Sequence, residues 1–373
     1  MISKSEIRFA ARLVHLGLVG RADMQSALSD LERQRRHCLE SSLDDVLVER
    51  GHITASEIPL LQEDGKRSRP VHVCGYRILE ELGQGGMSRV YRARPRTGGR
   101  PVALKILHPH IARRPLQVRC FHREADLLIR FEHPNLVKGL RVWESEGLHC
   151  FTMELVDGTC IQDRIAAGHR YEESAALAVV LQVARALAYL SRRGITHRDV
   201  KPGNLLEGAD GRVTLIDLGL ARSVEAGPVQ PPGTTVGTVQ YVSPEQACGA
   251  ADLDVRADIY SLGVSLYQMV LGDVPFSGAS DREILRQQVS RSLQSPRTRD
   301  RRVTPHLHYF IEKMMAKDRA LRYQHPDELI RDIEDNLRGR AEILGRVKAP
   351  PPRKRPPEAP ARRGRARDRR DRR

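Results

Sequence analysis

The 373-residue chain is poor in aromatic side chains (4%, with one Trp) and in lysine, which numbers 9 against 53 Arg. The arginine excess reads as a bias of the whole composition, so a single arginine carries little weight and each lysine carries more. The six cysteines, at positions 38, 74, 120, 150, 160 and 248, form no C-x-x-C pair and stand at no zinc spacing from histidine. That excludes zinc-ribbon and zinc-finger modules and predicts thiols of a reducing compartment. Long apolar runs are missing too. The most apolar stretch, Ala175 to Leu190, contains Gln182 and Arg185 and is too short to span a bilayer. Charges interrupt residues 1–20 every few positions, so neither a signal peptide nor a transmembrane segment is expected and the chain reads as cytoplasmic.

A net charge of +15 ordinarily points to nucleic acid or membranes. Here it is local: residues 346–373 hold 13 Lys/Arg against 3 Asp/Glu, so residues 1–345 carry only +5 of the +15. Residues 339–373 are rich in Pro, Ala and Arg, bury too little apolar surface to offset ordering entropy, and are expected to be a disordered tail. Such a tail is either a solubilising extension or an electrostatic tether to a polyanion.

Residues 1–70 read as a helical module. Ile7, Ala10, Ala11 and Val14, then Met24, Ala27, Leu28 and Leu31, follow the spacing of one buried helix face. The module contains an internal repeat. LVHLGLVGRADM from Leu13 aligns with LVERGHITASEI from Leu47, setting Gly17 on Gly51, Val19 on Ile53 and Met24 on Ile58. Each copy reads as helix, glycine stop, apolar residue and new helix start. Thr54 and Glu57 have capping-box spacing, with Pro59 in the following turn. Such a module either binds a protein partner or packs on the rest of the chain.

From Tyr76 the pattern changes to short strands (Tyr76–Leu82, Arg89–Arg94, Val102–Leu107, Val137–Glu144, His149–Leu155) interrupted by one helix, about Leu116 to Arg130. After Asp157 it is mainly helical, with Leu177, Leu181, Ala184, Leu187 and Leu190 on one face of a long helix. Motifs for handling phosphate lie along this frame. ELGQGGMSRVYRA (81–93) offers glycines whose backbone amides can approach phosphate oxygens. Next come PVALKIL (101–107) with Lys105 and FHREADLL with Glu124 or Asp126 as acid. HRDVKPGN (197–204) and IDLG (216–219) supply a carboxylate base, a lysine and two oxygen ligands for a metal. Phosphoryl transfer needs that set, because its catalysis is positioning and charge neutralisation.

In this order the motifs resemble the bacterial eukaryotic-like (Hanks-type) Ser/Thr protein kinases, over about Tyr76 to Arg338. The resemblance implies an α+β, two-lobed fold (76–338), with the module (1–70) before it and the tail (339–373) after it. It implies ATP and Mg2+ as cofactors and Ser/Thr side chains of proteins as substrates. Asp199 is then the base, Lys201 steadies the γ-phosphate, and Asn204 and Asp217 hold magnesium. Lys105 contacts the α- and β-phosphates and pairs with an acid, for which the REA match favours Glu124. Leu82, Gly83, Gln84, Gly85, Gly86, Met87 and Ser88 form the phosphate loop, with Ser88 in place of the usual third glycine. Val90, Ala103 and Leu206 enclose adenine, Met153 is the gatekeeper, and backbone groups of Glu154 and Val156 bond the adenine edge. Leu218 replaces the usual Phe and joins Leu128 and His197 in an apolar stack. Arg322 is placed to pair with Glu245 of SPEQ, and Asp258 to anchor the catalytic loop. Thr234 and Thr235 are the activation-loop phosphosite candidates, with Arg198 as the phosphate's partner, whereas Thr238 lines the substrate site. Lys105 and Asp199 are both expected in a solvent-open cleft. Two other classes compete with an active kinase: a nucleotide-binding pseudokinase scaffold, and an adaptor acting through the basic tail.

Overall fold

The computed structural model describes residues 2–15, 18–36, 41–53, 58–61, 72–145, 147–218, 222–223, 238–301 and 303–348. Residues 1–333 form one compact unit. Its first part consists of α1 (Lys4–His15), α2 (Arg21–Arg36), α3 (Leu43–Glu49) and α4 (Ile58–Leu61). Leu13, Val19, Met24, Ala27, Leu31, Val46, Leu47 and Ile53 share a core. The α2 face is as the spacing predicts, but α1 turns Ala10 and Leu13 inward and leaves Ile7 54% exposed. Arg35 explains the rotation: its guanidinium bonds Glu6 (2.7 and 3.3 Å) and the Ser41 carbonyl, fixing α1 about its axis. Ser42 and Asp45 form the capping box of α3, whereas Thr54 and Glu57 lie outside the described residues.

The repeat is visible in the backbone. Leu18 N–H donates to the Leu13 carbonyl (3.0 Å) and His52 N–H to the Leu47 carbonyl (2.9 Å), the same six-to-one bond closing each helix. Gly51 takes φ +68°, which a glycine adopts at least cost.

A six-stranded antiparallel sheet follows, in the order β1-β2-β3-β4-β6-β5. Its strands are β1 (His72–Val73), β2 (Tyr76–Gln84), β3 (Ser88–Pro95), β4 (Val102–Leu107), β5 (Gly139–Ser145) and β6 (Leu148–Glu154). The short α5 (Pro109–Ala112), absent from the sequence reading, precedes α6 (Pro115–Arg130). Cys74, in the β1–β2 turn, is joined to Cys150 on β6 by a disulfide. Spacing could not reveal this, because the two cysteines, 76 residues apart and on elements that are not neighbours in the sheet, meet only in a shared core cluster. The free thiols among the described residues are Cys120, Cys160 and Cys248.

The helical region contains α7 (Ile161–Ala166), α8 (Glu173–Ser191), α9 (Pro244–Ala247), α10 (Val255–Leu271), α11 (Asp281–Ser290), α12 (Pro296–Arg299), α13 (Pro305–Met314) and α14 (Pro326–Lys348). Two small sheets lie among them: β10 (Val213–Leu215), β9 (Leu205–Glu207) and β7 (Thr159–Cys160), then β11 (Arg222–Ser223) with β8 (Ile195–Thr196). By length and composition α8 could cross a membrane, but Leu177, Val180, Ala184, Leu187 and Leu190 are fully buried and it packs on α10 and β10 as a core helix.

A second unit begins at Glu334. Helix continues to Lys348, with Arg338 near Glu334 (3.4 Å) and Asp335 (3.7 Å). Helix thus runs past residue 339, where the sequence reading begins the tail: AEILGRVK is built mainly of helix formers, and the Pro-rich bias starts only after it. Residues 349–373 lie outside the described region.

Gly139 begins β5 where it meets α6. A Cβ there would lie 2.7 Å from Ile129 N and 2.8 Å from Leu128 C, both backbone atoms that cannot swing aside. Gly139→Ala is expected to destabilise the fold by about 1–3 kcal/mol, the usual cost of overpacking. A lower urea midpoint at unchanged m-value would show it.

Candidate active site

Lys105 lies on β4, a central strand, and Glu124 on the inner face of α6. Their side chains meet at 2.6 Å, and Asp217 Oδ1 is 3.4 Å from the same nitrogen. Asp126 is exposed, so the acid is Glu124. Burial works against the Lys105 ammonium, but Asp217 and Glu124 outweigh it and raise its pKa. Burial pushes Glu124 up to about 7 against the pull of Lys105. The side chains of Lys105 and Glu124 are only 10% and 4% exposed, and that of Asp199 is 13% exposed. The expectation of open-cleft residues is thus corrected, and removing Lys105 would strand a buried carboxyl group.

The phosphate loop joins β2 to β3, where Gly85 N–H donates to the Ser88 carbonyl (2.8 Å). A Cβ on Gly83 or Gly86 would meet nothing within 4 Å, and neither residue has positive φ. The fold itself does not require glycine there. A triphosphate does, because it needs close backbone approach, so the loop fits ATP. Leu82 and Gln84 are exposed beside it, Met87 is half-buried and Ser88 is buried. Val90 is half-buried on β3, Ala103 is buried on β4 opposite Met153 on β6, and Leu206 lies on β9. Glu154 N–H donates to the Lys138 carbonyl (2.9 Å), so of its two backbone groups the carbonyl is the one that could serve an adenine edge. Val156 follows at the half-buried edge.

In the catalytic loop, Lys201 Nζ donates to Asp199 Oδ2 (2.7 Å) and to Thr238 Oγ1 (2.7 Å). Asn204 Nδ2 donates to the Asp199 carbonyl (2.8 Å) and to Asp199 Oδ2 (3.1 Å), which turns the amide oxygen of Asn204 away from them. That oxygen and the Asp217 carboxylate fit Mg2+, which takes one or two protein oxygens together with substrate phosphates. Thr238 thus belongs to the same hydrogen-bond network as Asp199.

The loop is held from beneath. Asp258, on α10, accepts from His197 N–H (2.8 Å) and Arg198 N–H (2.7 Å). Burial pushes its carboxyl up to about 7, while those two N–H groups favour the ionised form. Arg198 has φ +71°, and its carbonyl accepts from Gln246 Nε2 (3.1 Å). Burial lowers the His197 pKa, and His197, Leu128 and Leu218 are each buried, as the apolar stack requires. Arg322 bonds both Glu245 oxygens (2.6 and 2.8 Å). Its remaining donors reach the carbonyls of Ala316, Arg256 and Lys317. Sequence reasoning missed Gln246, whose signal was its place as N3 of the Ser243 capping box. Thr234 and Thr235 lie outside the described residues.

The Arg322 side chain is 0% exposed and that of Glu245 12%. Arg322→Met is expected to cost about 3–5 kcal/mol, because it leaves a carboxylate buried and unpaired. Chemical denaturation of Arg322→Met, Glu245→Gln and the double variant checks this, and the double should cost less than the two singles together.

The protein kinase domain family matches residues 76–332. A probable serine/threonine-protein kinase of Clostridium perfringens is 36% identical over 259 residues, covering 69% of this chain and 38% of the relative. Serine/threonine-protein kinase PknB of Mycolicibacterium smegmatis is 35% identical over 271 residues, 71% of this chain and 43% of the relative. A probable serine/threonine-protein kinase of Streptomyces coelicolor is 35% identical over 270 residues, 71% of this chain and 40% of the relative. The chain thus spans about two fifths of the length of these relatives.

Proposed function

Because the chain belongs to the protein kinase family, with residues 76–332 matching it, we propose that it transfers the γ-phosphate of ATP to Ser or Thr side chains of proteins. The observation that carries this is the buried Lys105–Glu124 pair, assembled together with the Asp199–Lys201–Asn204 network in one molecule. Asp199 orients the substrate hydroxyl and accepts its proton. Lys201, held between Asp199 and Thr238, places a positive charge beside the transferring group. Lys105, kept charged by its carboxylate neighbours, holds the α- and β-phosphates. Asn204 and Asp217 would hold Mg2+, which neutralises phosphate charge as it develops. The reading extends to cytoplasmic signal transduction, to a protein partner for residues 1–70, and to contact of the basic tail with a polyanion.

Asp199→Asn keeps shape and hydrogen bonding but removes the base. It is expected to lower phosphoryl transfer by about 10²–10⁴-fold, the usual weight of general-base catalysis. Labelled ATP and Mg2+ on a generic peptide measure it, and undiminished autophosphorylation would refute the assignment.

Activation through Thr234 or Thr235 belongs to the same reading, since a phosphate there adds about −1.5 to −2 charges and can bond Arg198 bidentately. The Thr234→Ala/Thr235→Ala variant is expected to lose most of its activity on a peptide while keeping its unfolding midpoint. Full activity in that variant would mean that phosphorylation of these threonines is incidental.

A further inference from the structure

Residues 108–114, between β4 and α6, join three parts of the molecule. His108 N–H donates to the Met87 carbonyl (2.8 Å) and His108 Nε2 lies 3.0 Å from the Gly85 carbonyl, so this end touches the phosphate loop. Arg114 is the N-cap residue of α6, the helix that carries Glu124. Between them, Arg113 reaches the N-terminal module: Nη1 donates to the Leu18 carbonyl (3.2 Å) and Nη2 to the His52 carbonyl (3.2 Å).

Those two carbonyls are the same position in the two copies of the repeat. Aligning Gly17 with Gly51 sets Leu18 on His52, and both residues make the same six-to-one bond back into their helix. The apolar residues that follow, Val19 and Ile53, are both buried. One planar guanidinium therefore spans both helix ends. Its fork has the shape for two carbonyls at once, whereas an ammonium is a single point charge. A change in the spacing of the two copies would break one of the bonds. The residue that loses it is the one immediately before the α6 cap.

We propose that Arg113 is a positioning residue through which the two-copy module holds α6, and with it Glu124, in the arrangement that grips Lys105. The module then acts on the reaction from outside the cleft, and whatever binds it is read through the spacing of its two helix ends. The kinetic half of the test rests on the kinase reading; the exchange half does not.

The experiment uses the full chain with Arg113→Gln and Arg113→Lys. Arg113→Gln is expected to lower kcat on a generic peptide by roughly three- to tenfold while KM for the peptide stays within about twofold, the pattern of a lost transition-state arrangement. Deuterium uptake should rise across Pro115–Arg130 and stay unchanged in Leu43–Glu49, which separates release of α6 from unfolding of the module. Arg113→Lys should fall between the wild type and Arg113→Gln in both measurements. Unchanged exchange across Pro115–Arg130 in Arg113→Gln overturns the proposal, and so does raised exchange with an unaltered kcat. A wild-type chain that transfers no phosphate would refute the kinase reading and leave the exchange of Pro115–Arg130 to decide whether Arg113 braces the helix.

Discussion

The active arrangement depends on one buried ion pair, Lys105 with Glu124. Neither group could be buried alone at acceptable cost, so each is tolerable in the interior only while the other is present. The pair therefore makes little case for stability and a strong one for conditionality. It exists when β4 sits between β3 and β6 and when α6 lies close against β5. The closeness is set at Gly139, where any side chain would meet α6 backbone. Asp217 adds a second carboxylate to the same ammonium, so the pair also ties the sheet to the strand end that would carry metal.

A second constraint acts from the helical region. A non-glycine residue with positive φ, such as Arg198, stores of order 1–3 kcal/mol of strain. Hydrogen bonds to a charged acceptor are worth about 1.5–3 kcal/mol each, so the two N–H bonds to Asp258 are enough to hold it. Gln246 takes the carbonyl on the other side. Gln246 is itself fixed because Glu245, next to it on α9, is gripped by Arg322, whose five N–H donors each have an acceptor. A residue far along the sequence thus reaches Asp199 through two side-chain contacts and two steps along the chain. None of these groups touches the reacting atoms.

Much of this was legible from residue order. Strands β2, β3, β4 and β6 begin and end within two residues of where the sequence pattern places them, and the motifs lead to the strand that carries Lys105 and to the loop that carries Asp199 and Asn204. What was hidden needed three dimensions. The choice of Glu124 over Asp126 is a matter of which face of α6 points inward, and the rotation of α1 depends on Arg35 reaching Glu6. The Cys74–Cys150 link joins elements that are not neighbours in the sheet and meet only in a shared core cluster. The extent of α14 was obscured because the Pro/Arg bias begins just beyond its last helical residues.

Composition explains the remaining asymmetry. With 9 Lys in the chain, Lys105 and Lys201 stood out against the background, and each lies beside a carboxylate. With 53 Arg, the informative arginines did not. Arg322 was readable only because SPEQ and DRALRY fix its partner, and Arg113 had no motif to mark it. Its significance comes from the repeat. An internal duplication makes two backbone carbonyls equivalent, and a forked donor is the side chain that can use that equivalence. Symmetry in the module, not charge in the sequence, is what distinguishes Arg113 from the other arginines.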